Sequence, residues 1–182
     1  MSKAIGMVEF TSIARGIYAA DQMVKISEVE IATATTSCPG KYIAIVYGDV
    51  ASVEDSIRVG EKEASEYFVD SIVIPNVTPD IFPAITGTTM PEEIGAIGIM
   101  ESFSLATMII AADAILKAAE LEAIELRLGN GIGGKAFFTF TGDVAAVKTG
   151  VDAGTSIAEE KGLLVNAEVI PSPSEKLVPS LM

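Results

Sequence analysis

The sequence has no histidine, no tryptophan, a single cysteine and few aromatic residues of any kind. Without histidine it lacks both the commonest general base near neutral pH and the commonest metal ligand. Its one cysteine, Cys38, cannot form an internal disulfide, which fits a reducing compartment. Basic residues are scarce too: 12 Lys and Arg stand against 25 Asp and Glu, a formal net charge of −13. Such a chain repels phosphate backbones, and with so few aromatic rings it offers no stacking platform for bases. Nucleic acid is therefore excluded as a partner. Long hydrophobic runs are also missing. The longest uncharged stretches, 81–91 and 102–112, span 11 residues, against about 18 for a membrane crossing. No charged segment followed by an apolar one opens the chain, so a cytoplasmic protein outside any membrane is expected.

What the chain does have is itself, twice. Residues 4–9 read Ala-Ile-Gly-Met-Val-Glu and residues 96–101 read Ala-Ile-Gly-Ile-Met-Glu. Between 4–30 and 96–122 nearly half the positions are identical, among them Gly6/Gly98, Glu9/Glu101, Asp21/Asp113 and Lys25/Lys117. A two-residue shift then pairs Gly40-Lys41 with Gly134-Lys135 and Gly48-Asp49-Val50 with Gly142-Asp143-Val144. The copies part at one loop, Ser37-Cys38-Pro39-Gly40 in the first and Gly129-Asn130-Gly131-Ile132-Gly133-Gly134 in the second. A duplication whose halves differ mainly in one loop puts function in that loop.

Each copy reads strand, helix, two strands, helix, strand. In the first, 5–10 is a short apolar run, and Ser12 can cap a helix whose Ile13, Ile17, Ala20 and Val24 share one apolar face. Residues 29–36 alternate and are rich in β-branched side chains, a strand that pairs with 42–47 across the Cys-Pro-Gly loop. Asp49 caps a second helix that buries Val50, Val53, Ile57 and Ala64, and 68–75 closes the unit at a proline. The second copy repeats the order through strands 95–101, 121–128, 135–141 and 163–170 and helices 104–119 and 143–160. A proline-bearing linker, 78–91, joins them and carries a short helix at 80–85. The fold class is α+β, two tandem βαββαβ domains of the ferredoxin-like kind, with boundaries at 1–90 and 94–182.

Loop 129–135 imitates two nucleotide motifs. Gly129-x-Gly131-x-x-Gly134 fits a dinucleotide fingerprint, and Gly129-x4-Gly134-Lys135 is nearly a phosphate-binding loop. Both require the glycines to open a helix, whereas Ala136-Phe137-Phe138-Thr139-Phe140 reads as a strand, so both fail. The glycines serve positive φ and close approach instead. Glu9 and Glu101 recur by duplication and are read as structural. Lys25 and Lys117 suit the C-terminal turn of a helix, with room for a contact role. A lone thiolate such as that of Cys38 cannot hold zinc or an iron–sulfur cluster, but rotational symmetry can bring several copies to one axis.

The Ala-Ile-Gly-x-x-Glu openings, the Ala-Ala-Asp-x-x-x-Lys helix ends, the Gly-Lys…Gly-Asp-Val hairpins and the closing Val-Ile-Pro together resemble the shell domains of bacterial microcompartments. The resemblance covers almost the whole chain in two copies. The loops look closest to those of the tandem-domain, T-type shell proteins of propanediol-utilisation microcompartments. It implies a homotrimer shaped as a pseudohexameric tile, with two kinds of loop alternating around a central pore: Ser37, Cys38, Pro39 and Gly40, and Gly131, Ile132, Gly133 and Gly134. It further implies that Cys38 ligates one [4Fe–4S] cluster per trimer, on the threefold axis, and that Lys25 and Lys117 meet neighbouring tiles. Asn76 and Ser172 depart from the family, whose domains often carry arginine after the closing Ile-Pro.

The expected function is then a non-enzymatic wall component that passes electrons across a microcompartment shell. Its partners would be other shell proteins and a cargo redox enzyme. Two alternatives stay open at this point. One is a tile with a Cys38-lined metabolite pore and no cluster, and the other is a trimeric ferredoxin-like module that senses a ligand.

Overall fold

The computed structural model describes residues 3–181. The chain divides into two compact units between Val77 and Thr78. In the first, strand β1 (Ala4–Phe10) leads to helix α1 (Ile13–Ile26), the hairpin β2 (Val29–Ser37) and β3 (Lys41–Gly48), helix α2 (Val50–Ala64) and strand β4 (Phe68–Ile74). The second begins with a short helix, α3 (Ile81–Thr86). It then repeats the order as β5 (Ala96–Ser102), α4 (Leu105–Ala118), β6 (Glu122–Leu128), β7 (Ala136–Gly142), α5 (Val144–Glu160) and β8 (Leu164–Ile170).

Both sheets are antiparallel, ordered β2-β3-β1-β4 and β6-β7-β5-β8. Even the irregularities recur. The ladder slips after Glu9 and after Glu101, and again between Ile31 and Thr33 and between Ala123 and Glu125. The long helices start on capping side chains. Ser12 and Ser104 accept from the N–H three residues on, and Asp49 and Asp143 do the same for the second helix of each repeat. Hydrogen bonds from the Ser52 hydroxyl and the backbone hold the Asp49 carboxyl below its usual value.

Alternation along β1 and β3 sets the core of the first unit. Ala4, Val8, Phe10, Tyr42, Ala44 and Val46 face the helices and pack on Ala19, Met23, Val53 and Ile57. Neighbours approach closely where the repeat keeps glycine, a helix side chain at Gly6 and a side chain of the paired strand at Gly98. A Cβ on Gly6 would lie 2.5 Å from Ile57 Cγ1, and one on Gly98 would overlap the Phe140 ring. Among the described residues no helix is long and apolar enough to cross a membrane.

Two expectations need correction. The first domain is expected to run to residue 90, but α3 packs on β6 and the flank of α4, so the segment from Thr78 onward belongs to the second unit. Helix α1 buries Gly16, Ala19, Ala20 and Met23, so of the expected Ile13, Ile17, Ala20 and Val24 face Ala20 is buried and Val24 packs partly on the core, whereas Ile13 and Ile17 are exposed. Small residues win that position because Tyr42 lies so close that a Cβ on Gly16 would be 2.6 Å from its ring.

The Gly98–Phe140 contact gives a direct test of the packing. Gly98→Ala should cost about 1–3 kcal/mol, because an aromatic ring between strands cannot yield as an aliphatic side chain does. Chemical denaturation would read the loss, and an unchanged midpoint would contradict this account.

Candidate functional site

The two hairpin loops differ in length and chemistry although the strands that carry them are equivalent. In the first unit the ladder runs to Ser37 opposite Lys41, leaving Cys38, Pro39 and Gly40 as the tip. Ser37 is buried, Cys38 is half-buried with a free thiol, and Pro39 and Gly40 are exposed. The Cys38–Pro39 peptide is cis, and Gly40 has φ +83°. In the second unit the ladder stops at Leu128 opposite Ala136. Gly129, Gly131, Gly133 and Gly134 all take positive φ there, and Lys135 N–H donates to the Ile132 carbonyl at 3.3 Å.

Nothing among the described residues lies within 4 Å of where a Cβ would stand on Gly40, Gly131 or Gly133. These glycines therefore answer a backbone requirement, since left-handed φ strains any other residue. They do not make room for a neighbour inside the chain.

A lysine pins the base of each loop. Lys41 Nζ donates to Glu9 Oε1 at 2.8 Å, and Lys135 Nζ donates to Glu101 Oε2 at 2.5 Å. The register explains both contacts: Glu9 faces Ile43 and Glu101 faces Phe137, so each lysine sits two residues off on the same face of the sheet, within diagonal reach. The repeated glutamates and the repeated Gly-Lys are each plain in the sequence, but only the register joins them. Two opposite charges duplicated at matching distances from the loop are the signal that could have found the pair. With its ammonium on Glu101 and a strand rather than a helix after it, Lys135 makes no phosphate site.

Cys38 carries the single thiol of the chain. Among the described residues no group of three or more His, Cys, Asp or Glu side chains could hold a metal ion. A multi-thiolate site must therefore draw on several chains. The other residues singled out in the sequence, Lys25 and Lys117, sit in the last turns of α1 and α4, away from the loops in sequence. Each pairs with the aspartate four residues earlier, Asp21 and Asp113, at 2.5 Å. Asp113 does more: its Oδ1 accepts the Thr78 N–H at 2.7 Å.

Comparison with known proteins gives consistent results. The BMC domain family matches residues 4–77 and 96–173. The bacterial microcompartment shell protein PduT of Citrobacter freundii is 41% identical over 177 residues, covering 97% of this chain and 96% of that protein. The microcompartment shell protein EutM of Salmonella typhimurium is 39% identical over 79 residues, 43% of this chain and 79% of EutM, as one copy of the repeat should be. A crystal structure of a microcompartment protein from Desulfitobacterium hafniense DCB superposes with a TM-score of 0.94 at 46% identity, covering 98% of this chain and 99% of that one.

The two lysine–glutamate pairs differ in burial, and that difference is measurable. The Glu9 side chain is 5% exposed and the Glu101 side chain 35%. Glu9→Gln should cost about 2–3 kcal/mol, because it replaces a nearly fully buried carboxylate and leaves the partly buried Lys41 ammonium without its partner. Glu101→Gln should cost about 1 kcal/mol or less, falling further with added salt. Equal losses in chemical denaturation would show that these pairs do not distinguish the two hairpins.

Proposed function

The chain belongs to the BMC domain family as a bacterial microcompartment shell protein with two tandem domains, and on that premise we propose that three copies form a wall tile carrying a redox centre. Six domains in one ring satisfy the duplication with a threefold axis and a pseudohexameric outline. The two loop types then alternate around the pore. The role is structural, and the redox centre is the addition that the Cys38 loop makes to it.

One observation carries the proposal: the two frames match strand for strand, yet only the first ends a hairpin in Ser37-Cys38-Pro39-Gly40. Cys38 is a free thiol at a loop tip with no partner donors in its own chain among the described residues. That donor set suits a site shared by symmetry. Three Cys38 thiolates would hold three irons of a [4Fe–4S] cluster, and the fourth iron would take a non-cysteine ligand, since the chain has no other cysteine and no histidine. Such a cluster supplies one-electron transfer. The protein's own contribution is to hold the loop base through Lys41 and Glu9 and to present the sulfur at the loop tip.

Lys25 and Lys117 are proposed as contacts to neighbouring tiles. Both leave part of their length exposed at a helix end while an aspartate holds the ammonium, so the aliphatic stem is available for packing. The other partners are different shell proteins and, for the electron, a redox enzyme of the cargo.

Cys38→Ser, reconstituted anaerobically beside the unaltered chain, should lose its iron while light scattering still reports three chains. Equal iron in both would remove the cluster and leave a thiol-lined pore. A monomer would remove the ring itself. In a second experiment, changing Lys25 and Lys117 together to alanine should leave folded trimers that no longer form sheets. If that variant unfolds instead, the two lysines serve the stability of their own domains.

A further inference from the structure

The duplication extends past the closing strands. Ile74 and Ile170 hold the same register against Ile5 and Ile97. Counting on from them, Thr78-Pro-Asp-Ile81-Phe82-Pro83-Ala84-Ile85 aligns with Ser174-Glu-Lys-Leu177-Val178-Pro179-Ser180-Leu181. The hydroxyl residue, the two apolar residues, the proline and the last apolar residue all correspond. The local folds agree as well: Ile81 N–H donates to Thr78 O at 3.1 Å, and Leu177 N–H to Ser174 O at 2.8 Å.

The two segments have different surroundings. The first packs on β6 and α4, where Ile81 is 0% exposed, Ala84 is buried, and Thr78 N–H is taken by Asp113 Oδ1. The second is more open, with Ser174–Leu177 exposed. Ser180 and Leu181 border a recess of about 230 Å³ with Gly87, Thr89, Ile124 and Arg127, and Leu177 remains 39% exposed.

The first unit shows the converse imbalance. The stripe Leu105, Ile109, Ala112 and Leu116 on α4 is buried, whereas on α1 the equivalent Ile17 is 54% exposed and Ile13 is also open. Ala123 on β6 is 5% exposed, and its counterpart Ile31 on β2 is 48% exposed. Asp113 uses both carboxylate oxygens, Oδ2 on Lys117 and Oδ1 on Thr78. Asp21 binds Lys25 and Gln22 through Oδ2, and among the described residues its Oδ1 has no partner. The first copy of the repeat has an open α1 and β2 face, and the second copy, whose own face is covered, ends in an uncovered segment of matching pattern.

We propose that the C-terminal turn Ser174–Leu181 of one copy covers the α1 and β2 face of another, as α3 covers α4 and β6 within a chain. Leu177 seats near Ile17 and Ile31, and Ser174 N–H donates to Asp21 Oδ1. This rests on the assembly reading above and names the joint that closes the ring. It also explains why the repeat preserves aspartate at 21 and 113: each takes the backbone of the segment that follows the preceding domain.

The test is a cysteine pair, Asp21→Cys with Ser174→Cys, in a Cys38→Ser chain oxidised with glutathione disulfide. Non-reducing electrophoresis should show the single-chain band replaced by covalent three-chain rings. Asp113→Cys with Ser174→Cys, in the same Cys38→Ser chain, should stay uncrosslinked. Leu177→Asp, or a chain ending at Pro173, should dissociate at concentrations where the full chain is a trimer, with its circular dichroism unchanged. A disulfide within one chain, or truncated chains that assemble as tightly as the full one, would overturn the docking and leave the trimer standing. If the full-length chain is itself monomeric, the assembly reading falls first and the docking with it.

Discussion

Each hairpin of this protein is tied to the central strand of its sheet by a lysine that reaches diagonally to a glutamate, Lys41 to Glu9 and Lys135 to Glu101. The loop tips depend on that tie. A short tip in the first hairpin and a longer, glycine-rich tip in the second can sit on the same frame because the frame ends at a charged anchor rather than in the loop. The close packing of Ile57 on Gly6 and of Phe140 on Gly98 holds the strand that carries each glutamate. A change at the tip need not disturb the core, and a change in the core would move the tip.

Duplication has kept the frame and varied what the frame presents. Slips in the ladders, caps, anchors and the glycines at 6 and 98, 48 and 142, and 60 and 154 are the same in both units. The loops are not, and neither are the outer faces of the first helices, one buried and one open. An open apolar face in one unit, where the other unit covers the equivalent face, is what the proposed docking of a second copy would complete.

Much of this is legible in the amino-acid sequence. The order of elements, the hairpins, the caps at Ser12, Asp49, Ser104 and Asp143 and the failure of both nucleotide motifs follow from periodicity, capping and the strand after Lys135. The fold of the family and the place of Cys38 come through resemblance, because a lone cysteine carries no ligand set of its own. Periodicity also misleads. It reports that Ile13, Ile17, Ala20 and Val24 share a face, but not how much of that face the sheet covers, and here Ala20 and Val24 meet the core while Ile13 and Ile17 stay exposed. The prolines at 79, 83 and 91 mark a linker without saying which unit it packs on. The Thr78–Asp113 hydrogen bond that joins the linker to the second unit has no sequence signature beyond the recurrence of aspartate.

The central claim is that function arises where three copies of one loop meet. Native mass spectrometry of anaerobically reconstituted protein tests it most directly, since it counts chains and clusters in the same ion. The account predicts one species, three chains carrying a single [4Fe–4S] cluster. Clusters bound in proportion to single chains, or trimers that take up no iron and sulfide, would contradict it.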